Sequence, residues 1–181
     1  MSGGLETARG AAYVCATQRE DTALTRKTYS QLAAEAAERI EEIMPWDLPE
    51  FLEAHPNALL LDIRERSEFA RAHIKGALNV PRGILESAAE WDYAETEPEL
   101  VTARDRPVLI VCRSGHRSAM AAETLAEIGF ADLRSVKLGM KGWNDADLEI
   151  VGEGGALLDG DDAVELIEPP LRPDQIDPAR R

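Results

Sequence analysis

The hydrophobic pattern of the chain contains two short runs that are almost free of polar residues. One covers residues 59–63 and is interrupted only by Asp62, and the other covers residues 108–111. A strand with one exposed face alternates apolar and polar residues, so uninterrupted runs indicate strands that are buried on both faces. Two further short segments, residues 77–80 and 134–138, complete the predicted strands.

Helical spacing predicts the elements between these strands. Apolar residues recur three or four positions apart over residues 28–43, and again over residues 119–128. Shorter helices are predicted to be capped at Asp47, capped at Ser67 and opened at Gly142. Because parallel strands need crossover connections, this alternation predicts a single α/β domain with a mainly parallel sheet and helices on both faces.

The same pattern divides the chain into three parts. Residues 1–41 hold an N-terminal arm and the first amphipathic helix, residues 42–150 form the central domain, and residues 151–181 form an acidic tail. The arm lacks periodicity up to about residue 27 and is expected to be mobile. Residues 152–181 contain eight acidic residues, three basic residues and four prolines, so the tail is expected to be mostly unpacked.

The amino-acid composition limits the classes of partner that the protein is expected to bind. The 181 residues include 34 Asp and Glu against 20 Lys and Arg, a formal net charge of −14, which argues against nucleic acid as a partner. No segment approaches the roughly 18 apolar residues of a membrane span, and the N-terminus lacks the pattern of a secretory signal. We therefore expect a cytoplasmic protein with no membrane partner. The sequence has no phosphate-binding glycine motif and no metal-ligand spacing, so no cofactor and no metal are expected.

Cys112 is the candidate nucleophile, because it ends the apolar run 108–111 and opens a short polar loop before a predicted helix. Backbone N–H groups at a helix start carry positive partial charge and stabilise a thiolate. Arg113 and Arg117 add two cations that attract an anionic substrate. The alternative is an inert core thiol. The second cysteine, Cys15, has no predicted catalytic role, and two cysteines are too few for a disulfide framework.

Three segments, in order along residues 42–148, resemble the signatures of the rhodanese-like sulfurtransferases. The loop from Cys112 to Ser118 resembles their active-site loop, and residues 60–77 resemble their first signature. Gly139 and Trp143 resemble the glycine and tryptophan that close the domain. Three signatures in the right order are far more specific than any one of them.

This resemblance implies a sheet of about five strands and a sulfur-transfer reaction. The Cys112 thiolate is expected to take the outer sulfur of thiosulfate or a similar donor and to hold it as a persulfide. A thiol, cyanide or a sulfur-carrier protein would then accept the sulfur. Asp62 and Arg64 are expected to support the loop. The expected substrate-binding residues of the loop, whose N–H groups would hold the persulfide, are Arg113, Ser114, Gly115, His116, Arg117 and Ser118.

Several positions around the expected site leave alternatives open. Asp62 and Arg64 fit a structural clasp or a substrate contact, and His73 is expected to be a hydrogen-bonded structural residue. Ala72 stands where the family usually has a glycine before the histidine, and Leu138 replaces the first of two glycines. These two departures put the local backbone shape in doubt and leave the chemistry alone.

Two other functions fit a cysteine in such a loop. The first is a non-catalytic module that carries sulfur or binds a partner. The second is a cysteine phosphatase or arsenate reductase, but related phosphatases leave five residues between the cysteine and the arginine. Here four residues separate Cys112 from Arg117, so the shorter loop favours a single sulfur atom over a phosphoryl group.

Overall fold

The computed structural model describes residues 26–180. Within them, five strands form one sheet in the order β1-β5-β4-β2-β3, and every neighbouring pair is parallel. This arrangement confirms the predicted α/β class and parallel sheet. The strands are β1 (Glu41–Ile43), β2 (Leu59–Asp62), β3 (Leu78–Asn79), β4 (Val108–Val111) and β5 (Leu133–Val136).

Helices cover both faces of the sheet. Alternate residues of β4 belong to two separate hydrophobic cores, because Val108 and Ile110 lie in one and Leu109 and Val111 in the other. Trp143 lies in the second core, as expected. The helices are α1 (Tyr29–Ala37), α2 (Leu48–Ala54), α3 (Arg66–Arg71), α4 (Leu85–Ala88), α5 (Pro98–Val101), α6 (His116–Glu127), α7 (Gly139–Asp145) and α8 (Gly160–Ile167).

The helix predicted over residues 28–43 is wrong in its second half. Helix α1 ends at Ala37, and residues 41–43 form the edge strand β1, in which Ile43 pairs with Val136 of β5. The helical spacing of the apolar residues continues to Ile43, but residues 41–43 pair with β5 in the sheet. Buried Ala33 and Ala36 of α1 then meet α6.

The C-terminal segment is better packed than its composition suggests. Val151 makes an antiparallel bridge to His73, with backbone hydrogen bonds of 2.8 and 2.9 Å. Helix α8 packs on α7 through Ala163 and Ile167, which are fully or nearly fully buried. These two residues lie four apart and form a small apolar face, while the acidic side chains point to solvent. The expected unpacked tail is therefore restricted to the exposed residues after Ile167.

Some expectations fall on residues that the structure does not describe. Cys15 and nearly all of the predicted arm precede residue 26 and lie outside the described part of the chain. Among residues 26–180, no helix combines the length and the apolar composition needed to cross a bilayer. The domain limits at residues 41 and 150 stay a prediction.

Candidate active site

Cys112 lies directly after β4, at the carboxyl edge of the sheet, where α/β proteins commonly build their sites. Its exposed fraction is 1%. The chain turns at Gly115, which has a positive φ of 88°, and enters α6 at His116. A Cβ at Gly115 would lie 3.1 Å from the backbone nitrogen of Leu138, so both the conformation and the close approach favour glycine. This turn places the first residues of α6 beside the sulfur.

The backbone N–H groups of residues 113–118 make no hydrogen bond within the described chain. They belong to the loop and to the first turn of α6, where N–H groups have no partner inside the helix. Together with the positive end of the helix dipole, they form a set of donors suited to an anion. The geometry is compatible with the expected persulfide cradle, which stays a prediction.

A pair of buried hydroxyl groups lies behind the sulfur. The Oγ of Ser118 is 3.5 Å from the Sγ of Cys112 and 2.8 Å from the Oγ of Ser135. Ser118 also donates to the carbonyl oxygen of Gly115 at 3.0 Å. Both serines are completely buried. Ser135 is a site residue that the sequence did not indicate, because its strand was recognised only by its apolar neighbours.

Arg117 is held by a carboxylate from a distant helix. Its two terminal nitrogens donate to the two carboxylate oxygens of Glu68 in α3, both at 3.1 Å. Burial opposes ionisation of Glu68, but the hydrogen bonds and charge of Arg117 outweigh it and lower the pKa of Glu68. For Arg117, burial acts against the cation, while Glu68 and the more distant Cys112 raise its pKa. The guanidinium of Arg117 is therefore held in an ion pair with Glu68, although Arg117 is a residue of the loop.

Glu68 also organises the start of α3. Its side chain accepts a hydrogen bond from the backbone N–H of Glu65 at 3.2 Å, and the two glutamates form a capping box. The expected cap at Ser67 is wrong, because the carboxylate of Glu65 occupies the N-cap position instead. Glu68 thus fixes both the helix and the arginine of the catalytic loop.

Arg113 differs from Arg117 in having no ion-pair partner. Its side chain is exposed and makes no hydrogen bond or salt bridge within residues 26–180. Of the two loop cations that the sequence predicts, Arg113 is the one whose guanidinium is free to meet an incoming anion.

The N-terminal end of α7 supports the loop from its other side. The backbone N–H groups of Met140 and Lys141 donate to the carbonyl oxygens of Cys112 and Arg113 at 2.9 and 3.1 Å. A Cβ on Gly139 would lie 2.3 Å from the Cys112 carbonyl oxygen, so no larger residue fits without moving the loop.

Leu138, the residue before Gly139, stands where the family usually has the first of two glycines. Leu138 adopts a positive φ of 62°, a conformation that glycine adopts at lower cost. The backbone at Leu138 therefore has a left-handed conformation that favours glycine, although the residue is not glycine. Helix α7 also begins at Gly139, three residues before the predicted start.

Asp62 and Arg64 form a buried clasp. Both are at most 1% exposed, and the guanidinium of Arg64 donates to both carboxylate oxygens of Asp62, with the shortest contact at 2.6 Å. The same guanidinium donates to the backbone oxygen of Ala72 at 2.6 Å. These contacts are compatible with the structural alternative, and the support of the loop by Asp62 and Arg64 stays a prediction.

His73 behaves as the sequence analysis expects. Its ring stacks on Phe69 at a centroid distance of 4.0 Å, and its Nδ1 is hydrogen-bonded to the Phe69 carbonyl oxygen at 2.9 Å. His73 is therefore confirmed as a hydrogen-bonded structural residue.

Two grooves flank the cysteine loop of residues 112–118, and each has one wall from α1 or from residues 168–171. The first, of about 250 Å³, lies between α1 and the loop, and residues 114–116 and Leu138 line it opposite Ala33 and Ala34. The second, of about 380 Å³, is lined by Arg113 and Ser114 on one side and by residues 168–171 on the other. The mouth of the site is thus bounded by both flanking segments.

Comparison with known proteins agrees with this geometry. The chain is 32% identical over 111 residues to YrkF of Bacillus subtilis (strain 168), a proposed sulfur carrier protein, covering 61% of this chain and 55% of YrkF. A rhodanese-related protein from Thermoplasma volcanium superposes with a TM-score of 0.51 at 27% identity, covering 62% of this chain and 99% of that chain. Thiosulfate sulfurtransferase from Pseudomonas aeruginosa superposes with a TM-score of 0.50 at 28% identity, covering 63% of this chain and 20% of that chain.

The family assignment depends on the match to a family model. A model of the rhodanese-like domain matches residues 47–146, which is more than half of the chain and contains all three signature segments, from residue 60 to Trp143. With the parallel sheet and the cysteine loop at its carboxyl edge, this match establishes that the chain belongs to the rhodanese-like domain family.

Proposed function

We propose that this protein is a sulfurtransferase that carries sulfur as a persulfide on Cys112. The observation that supports the proposal most directly is the position of the thiol. Cys112 ends the central strand β4 and opens a loop whose N–H groups, from residue 113 to residue 118, have no partner in the described chain. Unpaired donors around a cysteine suit a second sulfur atom that carries negative charge.

The reaction has two stages. In the first, the Cys112 thiolate attacks the outer sulfur of thiosulfate, a new S–S bond forms, and the old S–S bond breaks. The electron pair of that bond leaves with sulfite, and Cys112 carries a persulfide anion. In the second, cyanide or a thiolate takes the terminal sulfur and returns Cys112 to the thiolate, so ping-pong kinetics are expected.

The donor and the acceptor are proposed from chemistry and from relatives. Thiosulfate is proposed because Arg113 offers an unpaired cation beside the loop, and because a thiosulfate sulfurtransferase shares the fold. A carrier protein is proposed as an acceptor because YrkF is itself a proposed sulfur carrier. The chain spans about half the length of YrkF, so YrkF as a whole protein is not a template for this chain.

A phosphatase is disfavoured by the size of the loop. Only four residues separate Cys112 from Arg117, and the sulfur is 1% exposed. A tetrahedral phosphoryl group needs a wider ring of donors than one sulfur atom. We expect no measurable hydrolysis of an aryl phosphate by this protein.

The test is the intact mass of the protein after incubation with thiosulfate and removal of excess donor. We expect a gain equal to one sulfur atom, which disappears on adding cyanide as thiocyanate forms. Cys112→Ser should show no gain, because its hydroxyl cannot form a persulfide. Cys15→Ser is the matched control and should gain the sulfur normally. An unchanged wild-type mass with thiosulfate and with polysulfide would contradict the proposal.

A further inference from the structure

Helix α1 brings a side chain from outside the family domain to the mouth of the site. Its start is fixed by Thr28, whose capping box with Gln31 satisfies the first backbone groups of the helix. Its register is fixed by Ala33 and Ala36, which are at most 2% exposed against α6. The first residue of this anchored helix is Tyr29, and the family match begins only at residue 47.

The ring of Tyr29 lies against the catalytic loop without being part of the core. Its edge meets the ring of His116 at a centroid distance of 5.4 Å and an interplanar angle of 76°. The residue is nevertheless 53% exposed. Tyr29 therefore contacts the loop while more than half of the residue stays exposed at the rim of the site.

The Tyr29 phenol interacts electrostatically with Cys112 and with the two arginines of the loop. Partial burial raises the pKa of Tyr29, and the negative charge of Cys112 raises it further, while Arg117 and Arg113 lower it. The net effect keeps the phenol protonated at neutral pH. Its O–H is therefore a hydrogen-bond donor on a residue that interacts electrostatically with the sulfur and the two loop cations.

The loop leaves a place for such a donor. Two N–H groups of Arg117 are held by Glu68, whereas Arg113 is unpaired. The free backbone N–H groups follow Cys112 directly and suit the transferred sulfur. An oxyanion donor also carries oxygen atoms that need hydrogen-bond donors and positive charge of their own, and Tyr29 and Arg113 beside the loop can supply both.

We propose that Tyr29 is a specificity-determining residue, whose hydroxyl donates a hydrogen bond to an oxygen atom of an oxyanion sulfur donor while Arg113 balances its charge. This inference rests on the proposed sulfurtransferase function. It assigns to α1 a preference for sulfur donors that carry oxygen, such as thiosulfate, over donors that carry none, such as inorganic polysulfide.

The test compares the two donors in the first half-reaction. The rate of persulfide formation is measured by mass in single turnovers over a range of donor concentrations, for the wild type and for Tyr29→Phe. With thiosulfate, the variant should need about tenfold more donor for half-maximal rate, the loss expected for one hydrogen bond to an anion, with the maximal rate within about twofold. With polysulfide, wild type and variant should agree within about twofold.

Tyr93→Phe is the matched control, because Tyr93 is also an exposed tyrosine, at 58%, and lies between α4 and α5. It should behave as the wild type with both donors. Equal thiosulfate dependence in Tyr29→Phe and wild type would overturn the inference, and so would an equal loss with both donors. Neither result would affect the proposed function, which falls only if the wild type forms no persulfide from either donor.

Discussion

At the scale of single residues, the two serines behind Cys112 set how the sulfur is solvated. A hydroxyl has one proton, and that of Ser118 is shared between the Gly115 carbonyl oxygen and the sulfur, at 3.0 and 3.5 Å. When the hydroxyl of Ser135 donates to the Ser118 oxygen, the Ser118 proton is not needed for that bond. Ser118 can then donate its proton to a thiolate at Cys112. Because both serines are buried, water cannot replace either donor.

This arrangement predicts a graded loss of rate. Ser118→Ala removes the direct donor and should slow persulfide formation about tenfold, and Ser135→Ala removes only the supporting donor and should slow it about threefold. Single-turnover rates with thiosulfate measure both effects. Ser87→Ala is the control, because Ser87 bonds only to the backbone of Ile84 and should leave the rate unchanged. A greater loss in Ser135→Ala than in Ser118→Ala would contradict the order proposed for the two donors.

Most of the site residues that the sequence indicates share one short segment. Residues 112–118 are contiguous, so their chemistry is visible as a motif. Glu68 lies 49 positions from its partner Arg117, and Ser135 lies 17 positions from Ser118. Tyr29 precedes the family domain altogether. Such partners depend on how the chain folds back, and the residue pattern alone does not contain that information.

At the scale of secondary-structure elements, the ion pair of Glu68 and Arg117 joins α3 to the start of α6. Helix α3 has only six residues, too few to be stable by itself, so tertiary contacts must hold it. The pair is about one-quarter exposed, and its geometry is bidentate. It therefore contributes more than an ordinary surface ion pair.

The pair predicts a pH-dependent stability. The pKa of Glu68 is lower in the folded protein than its ordinary value of 4.5, because Arg117 outweighs the opposing effect of burial. The resulting stability is present above pH 4.5 and is lost as the pH falls through the folded pKa. Glu68→Gln should lower the free energy of unfolding by about 1 kcal/mol near neutral pH. This difference from wild type should shrink below pH 4.5.

Denaturant unfolding of both proteins over a series of pH values measures this difference. Glu86→Gln is the control, since it breaks the more exposed pair with Arg82 and should change stability little. A difference between wild type and Glu68→Gln that grows on acidification would show that the sign is wrong.

Element boundaries were predicted less well than element types. The buried strands β2 and β4 were found within one residue, because continuous apolar runs are a strong signal. The helical spacing continues through residues 38–43, but residues 41–43 form the edge strand β1, since pairing with β5 outweighs a weak local preference. Helix α7 starts early because its first N–H groups bond to the catalytic loop, a contact with no local signature.

At the scale of the whole molecule, the chain is larger than its family domain on both sides. Helix α8 lies beyond the matched residues, yet it buries Ala163 and Ile167 against the domain. The acidic composition did not indicate this packing, because two buried apolar residues in α8 are enough to hold the helix against the domain. The cytoplasmic location expected from the sequence stays a prediction.

Truncation of a buried side chain in α8 tests whether this segment contributes to folding. Ile167→Ala should lower the free energy of unfolding by about 2 kcal/mol, because it removes buried methyl groups and leaves a cavity. Urea denaturation measures the change. Val164→Ala, on the same helix but 46% exposed, should stay within about 0.5 kcal/mol of wild type. Equal effects of the two substitutions would contradict the packing of α8.

The two grooves beside the catalytic loop have a consequence for how this protein can diversify. The groups proposed to act on the sulfur lie in the loop, in α3 and in β5, whereas the outer walls of the grooves come from α1 and from residues 168–171. Reactivity and access are therefore encoded in different parts of the gene. Substitutions in the walls can exchange one sulfur donor or acceptor for another without disturbing the chemistry, so close relatives with the same loop are expected to differ most in what reaches it.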